Sequence, residues 1–78
     1  MIKVYTQPGC SPCHHATEYL SRREWQFEEI DIRATPGAID ELRRLGASAT
    51  PVLVIGARVL MGFDRDAIDE AVAAEASG

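Results

Sequence analysis

The stretch Gly9-Cys10-Ser11-Pro12-Cys13-His14-His15 holds both cysteines of a 78-residue chain, two positions apart, with two histidines directly behind them. Ahead of it, Lys3 to Thr6 reads as a short strand, with Val4 facing one side between Lys3 and Tyr5, and it runs into the turn-forming Gln7-Pro8-Gly9. Behind it, Cys13, Ala16 and Leu20 recur at helical spacing, and Pro12 is tolerated because first-turn amides have no partner inside a helix. Cys10 therefore falls at a helix N-terminus. A sulfur there meets unpaired backbone amides and the positive end of the dipole, both of which favour thiolate. The dipole contributes about 0.3–1 kcal/mol, roughly one pK unit or less, so a larger drop needs hydrogen bonds made directly to sulfur. The amide and thiol proton of Cys13 are the natural donors, since the helical turn brings both back toward Cys10.

This asymmetry sets a mechanism. Cys10 thiolate attacks a disulfide in a substrate to form a mixed disulfide, and Cys13 then displaces the substrate thiol by attacking Cys10. Ser11 and Pro12 tune the redox potential through backbone stiffness and amide availability. A bridge between the two cysteines closes a very small loop and stabilises little by chain entropy, so the pair is a poor structural staple.

Outward from the motif, Arg22 and Arg23 complement the C-terminal end of the first helix. Phe27 to Ile32 reads as a second strand with Ile30 and Ile32 on one face. Thr35-Pro36-Gly37 opens a second helix through a capping threonine and a first-turn proline, with Ile39, Leu42 and Leu45 as its apolar stripe and Gly46 as its end. Pro51 to Ile55 forms a third strand, Gly56-Ala57 a turn, and Arg58 to Met61 the returning partner. Asp64 caps a last helix whose Ile68, Ala71 and Val72 face inward. The order β-α-β-α-β-β-α, with a crossover helix between the first two strands and a short turn between the last two, gives an α/β fold with a four-stranded mixed sheet and three flanking helices.

The totals bound the function. Seventy-eight residues make one small domain, 1–78, without linker or repeat. Hydrophobic residues at 46% and charged residues at 26% are a globular balance. Twelve acidic against eight basic residues leave a net charge of −4, which repels phosphate backbones and anionic lipid, so neither nucleic acid nor membrane is an expected partner. Met1 to Thr6 is too short and polar for a secretory signal, and the chain is expected to work in the cytoplasm as a monomer.

Rival chemistries use the same residues. Cys10-Ser11-Pro12-Cys13-His14 matches the haem c attachment pattern, but that reading needs export and a helical wrap around the porphyrin, with Met61 as a candidate axial ligand. Zinc would need both cysteines with the adjacent His14 and His15, an awkward tetrahedron, and no tightly bound cofactor or metal is expected. An iron–sulfur cluster shared by two chains through Cys10 stays as the alternative function. Plain packing of two cysteines is the bland one. His14 and His15 read as first-turn surface residues, or as electrostatic tuners of Cys10.

With the strand, Gly9-Cys10-Ser11-Pro12-Cys13-His14, the Thr50-Pro51 step and Gly62-Phe63-Asp64 in this order, the chain resembles the glutaredoxin family of the thioredoxin fold. Tyr5-Thr6, Phe27 to Asp31 and Val52 to Ile55 fall at family positions, so the likeness covers essentially the whole length. It implies a cis peptide at Thr50-Pro51, with the Thr50 backbone pairing to an extended substrate. It implies a binding groove that includes Gly62, Phe63 and Asp64, flanked by Tyr5. Departures accompany the likeness: Gln7 stands where many members carry lysine, and Ala47 and Ser48 replace a cationic or amide side chain, so glutathione's carboxylates lose partners. The Gly62-Phe63 pair resembles the glutaredoxin-like redoxins that serve ribonucleotide reductase. The implied client is a disulfide-containing protein, and the implied electron source is glutathione or thioredoxin reductase. Glu24-Trp25 replaces a common helix-ending glycine, and Trp25 is expected to close the core over the first helix.

Overall fold

Seven elements appear in the expected order: β1 (Ile2–Thr6), α1 (Ser11–Arg22), β2 (Glu28–Asp31), α2 (Ala38–Arg44), β3 (Val52–Ile55), β4 (Arg58–Met61) and α3 (Arg65–Ser77). They come from a computed structural model that describes residues 1–77. The sheet runs β2-β1-β3-β4, with β1 parallel to β2 and the pairs β1–β3 and β3–β4 antiparallel. Register places Thr6 beside Asp31 and Tyr5 beside both Ile30 and Val52.

Side chains alternate across a strand, so a central strand covered on both faces buries residues on either side, and in β1 all but the half-buried Lys3 are buried. One face of β1 puts Ile2 and Val4 against Ala16 and Leu20 of α1, Leu53 and Ile55 of β3, and Ile68 and Ala71 of α3. The other face puts Tyr5 against Leu42 of α2, with Ala47 and Val52. Helices α1 and α3 thus cover one side and α2 the other. Leu20, Leu53, Ile55, Ile68, Val4 and Val52 are all fully buried, and each contributes about 1.5–3 kcal/mol relative to exposure. Trp25 packs against the α1 side of this core, as expected. Among the described residues no helix is long and apolar enough to cross a membrane.

Three local expectations are corrected. Strand β1 begins one residue earlier, at Ile2, and it does not separate a single inward Val4 from outward neighbours, because Tyr5 is buried as well. Strand β2 is confined to Glu28–Asp31, although the Ile32 amide still donates to the Thr6 carbonyl at 2.9 Å. Helix α2 starts at Ala38 behind Gly37, whose φ of 81° is a left-handed conformation that glycine adopts without steric cost. The Ala38 amide donates to the Thr35 carbonyl at 3.2 Å, closing a turn before the helix, and no side chain caps the start. The buried stripe runs through Ala38, Leu42 and the half-buried Leu45, at i, i+4 and i+7 spacing, and leaves Ile39 43% exposed. Gly46 ends the helix as expected, with the Ala47 amide reaching back to the Leu42 carbonyl at 3.2 Å.

Candidate active site

Strand β1 ends at Thr6, Gln7 to Gly9 turn the chain, and Cys10 becomes the N-cap of α1 with extended backbone angles, φ −101° and ψ 100°. The two cysteines are joined in a disulfide with Cα atoms 5.2 Å apart, inside the ordinary range for such a bridge. Their environments differ. Cys10 is half-buried, and its Sγ accepts the Cys13 amide at 3.2 Å, so the sulfur satisfies one of the helix's unpaired donors. Cys13, one turn further on, is 3% exposed. Ser11 and Pro12 lie exposed in the first turn, and that turn contains no acidic residue.

The Thr50–Pro51 peptide is cis, as the resemblance implies. Pro51 is fully buried, while the Thr50 hydroxyl lies 3.5 Å from Cys10 Sγ and donates to it. The Gly62 amide donates to the Pro51 carbonyl at 2.9 Å, tying the β4–α3 loop to the proline. Thr50, Pro51 and Gly62 line one cleft of about 220 Å³ together with Ala47, Ser48 and Met61. The structure therefore brings the cysteines, Thr50, Pro51 and Gly62 together.

Other expected site residues point elsewhere. Phe63 is half-buried and packs near His15 and Tyr19, with ring centroids 6.2 and 6.0 Å away. Asp64 is exposed and its Oδ1 accepts the Ala67 amide at 3.2 Å, so it caps α3 as the sequence suggested. Tyr5 does not flank the groove. It is 3% exposed in the α2-side core, and its hydroxyl donates to Glu41 Oε1 at 3.2 Å. Burial first, and then the Glu41 carboxylate, push its phenol above the usual value. The physical reason for the misplacement is the coverage of both faces of β1.

Four residues emerge that the cysteine pattern did not assign to the site: Gln7, Thr6, Glu29 and Asp31. Gln7 donates its Nε2–H to Thr50 Oγ1 at 2.9 Å. Thr6, buried beside the cysteines, donates its hydroxyl to Glu29 Oε2 at 3.1 Å. Glu29 and Asp31 line a cleft of about 290 Å³ with Cys10, Cys13, His14 and Gln7. The alternation of β2 was the available signal for the carboxylates: with Ile30 and Ile32 on one face, Glu29 and Asp31 share the other. His14 pairs with Glu18 at 3.2 Å along the exposed side of α1. Among the described residues no three His, Cys, Asp or Glu side chains converge as a metal site.

A helix-capping sulfur beside its buried partner thus faces the cis peptide before β3. A family model described as Glutaredoxin matches residues 2–60. The chain belongs to the glutaredoxin family. It is a dithiol–disulfide oxidoreductase whose redox-active pair is Cys10 and Cys13. Among its relatives, the Gene 56 protein of Mycobacterium phage L5 is 32% identical over 73 residues, a span of 91% of this chain and 71% of that one. The glutaredoxin-like protein NrdH of Salmonella typhimurium is 32% identical over 68 residues, 87% of this chain and 84% of its own. The solved structure of the glutaredoxin-like protein NrdH-redoxin from Escherichia coli superposes with a TM-score of 0.82 at 32% identity, covering 88% of this glutaredoxin and 91% of that chain. The likeness extends to the thioredoxin-like arrangement of the whole four-stranded sheet.

Proposed function

We propose that this glutaredoxin carries electrons from a thioredoxin reductase to a disulfide in a client protein, with Cys10 attacking and Cys13 resolving. The division of labour rests on one observation: Cys10 Sγ is half-buried at the head of α1 and accepts the Cys13 amide, whereas Cys13 is 3% exposed. In the forward step Cys10 thiolate attacks one client sulfur, the client disulfide breaks, and the departing client thiolate takes up a proton. Cys13 then loses its proton and attacks Cys10 Sγ, expelling the second client thiolate. The client disulfide has gained two electrons, and the Cys10–Cys13 bridge has formed. Thr50 and Pro51, with Gly62 behind them, offer the extended edge on which the client's backbone lies.

Charge supports the reductase over glutathione. No Lys or Arg lines the cleft around the cysteines, while Glu29 and Asp31 do. Glutathione brings two carboxylates to any site, and the Gln7 amide that stands nearest is already engaged with Thr50. The E. coli redoxin of similar fold is described as having a thioredoxin-like activity profile, which supports the same assignment here. Resemblance to redoxins that serve ribonucleotide reductase supports that enzyme as the client.

The test has two arms. Oxidised protein is offered thioredoxin reductase with its nicotinamide donor, and separately glutathione; faster turnover with the reductase is expected, and faster reduction by glutathione overturns the electron source. Cys13→Ser is expected to accumulate a mixed disulfide with the client, and Cys10→Ser none. Equal trapping by both overturns the division of roles.

A further inference from the structure

Position 7 was expected to be a lost cation, yet its amide is engaged in the site. Gln7 Nε2–H donates to Thr50 Oγ1 at 2.9 Å, and Thr50 Oγ1 in turn donates to Cys10 Sγ at 3.5 Å. A hydroxyl has one hydrogen to give and lone pairs to receive. Because the Gln7 nitrogen only donates, it occupies a lone pair of the Thr50 oxygen and leaves the single hydroxyl hydrogen for the sulfur. We propose that Gln7 and Thr50 form a relay that directs a hydrogen bond onto Cys10 Sγ and so favours its thiolate. Thr50 acts on the sulfur itself, and Gln7 is a positioning residue.

The surroundings explain what this relay supplies. The titratable groups facing the cysteine pair are His14 on α1 and Glu29 and Asp31 on β2. The carboxylates disfavour a second negative charge on sulfur. On the opposite wall, the cleft of Gly46, Ala47, Ser48, Ala49, Thr50 and Gly62 has no titratable side chain. A neutral amide and hydroxyl therefore stabilise sulfur charge from that side without a cation, and a cation there would also attract anionic small thiols. The Cys13 amide at 3.2 Å supplies the other donor. Two donors on one sulfur add to the helix-start effect, which alone is small.

The inference rests on Cys10 being the attacking sulfur, and the test separates the two. Thiolate absorbance is followed against pH in a Cys13→Ser background, where only Cys10 titrates. Thr50→Val is expected to raise the Cys10 pKa by about one unit and Gln7→Met by about half a unit, in line with the effect of a hydrogen bond to a charged form. Gln7→Glu, similar in size but able only to accept at that point when ionised, is expected to raise it further than Gln7→Met. Thr50→Ser, which keeps the hydroxyl, is expected to restore the parent titration. In a Thr50→Val background Gln7→Met is expected to add nothing. Circular dichroism confirms that each variant is folded, and Gln7→Glu and Thr50→Ser keep the test intact if Gln7→Met is not. A Cys10 pKa that is low in the parent but unmoved by Gln7→Met and Gln7→Glu overturns the relay, as does a Gln7→Met shift that persists without the Thr50 hydroxyl. A Cys10 that titrates like a free thiol in the parent overturns the nucleophile assignment itself.

Discussion

Helices α1 and α2 each follow a strand of the same sheet, yet their two ends are built in opposite ways. The start of α1 is capped by a cysteine sulfur, and its first turn contains no carboxylate. The start of α2 has no side-chain cap, and Asp40 and Glu41 sit in its first turn, where they answer the positive end of the dipole. At the other end the order reverses. Helix α1 runs out into Glu24, a non-glycine residue with φ of 58°, whereas α2 runs out into Gly46 with φ of 86°. The difference teaches where chemistry displaces stability. The first turn of α1 carries no carboxylate of its own, so the charge placed directly at its start is that of a reactive sulfur, while α2 is settled by ordinary side chains at a place where nothing reacts.

The comparison breaks most visibly if α1 is given the start that α2 has. Ser11→Asp places a carboxylate beside Cys10 in the first turn. A negative neighbour disfavours a second negative charge, so the Cys10 pKa must rise, and the alkylation rate at neutral pH must fall as its pH profile moves to higher values. The expected shift is about 0.5–1 unit, a three- to tenfold loss of thiolate well below the pKa. Alkylation by iodoacetamide across pH reads this directly. An unchanged or downward-shifted profile would mean that the bare first turn of α1 has no bearing on the sulfur.

How much of this was legible in the sequence follows from the range of each interaction. The helix start at Cys10, the Gly56-Ala57 hairpin and the Asp64 cap were readable because their signals lie within a few residues of each other. The Thr50-Pro51 step was placed through family likeness, since local sequence favours a trans bond. Tyr5 was misread because a strand pattern shows alternation but not whether both faces are covered, and that depends on α2 docking more than thirty residues later. Gln7 was read as a missing lysine because its partner Thr50 lies 43 residues away. Thr6 and Glu29, 23 residues apart, meet only through the parallel register of β1 and β2. Pairs that meet through sheet register or helix docking have no periodicity to betray them.

At the C-terminal ends the comparison predicts a gain. Left-handed backbone costs a residue with a Cβ roughly 1–2 kcal/mol, and Glu24 is exposed, its own amide already bonded to the Ser21 carbonyl at 3.0 Å. Glu24→Gly removes that cost but loses more chain entropy on folding, so a net stabilisation of about 0.5–1 kcal/mol is expected from denaturant midpoints. Gly46→Ala is the mirror experiment. A Cβ there would meet Met61 Cε at 3.9 Å, an ordinary contact, so its cost is that of the backbone alone, about 1 kcal/mol. Equal effects of the same sign from both substitutions would remove the contrast between the two helix ends.

The smallest effect sits at the start of α2. A threonine two residues before Gly37 has the look of an N-cap, and losing a true cap costs about 1 kcal/mol. In the structure Thr35 is exposed and makes only backbone bonds: its amide donates to the Asp31 carbonyl at 3.0 Å, and its carbonyl accepts the Ala38 amide. A backbone carbonyl survives substitution. Thr35→Ala is therefore expected to leave stability within about 0.3 kcal/mol of the parent, while Asp64→Ala, which removes the side-chain bond to the Ala67 amide, loses about 1 kcal/mol. Chemical denaturation of the two variants side by side settles whether α2 begins behind Gly37 without a cap. A loss at Thr35 matching that at Asp64 would mean that its hydroxyl holds the helix start after all, and that α2 is built like α3.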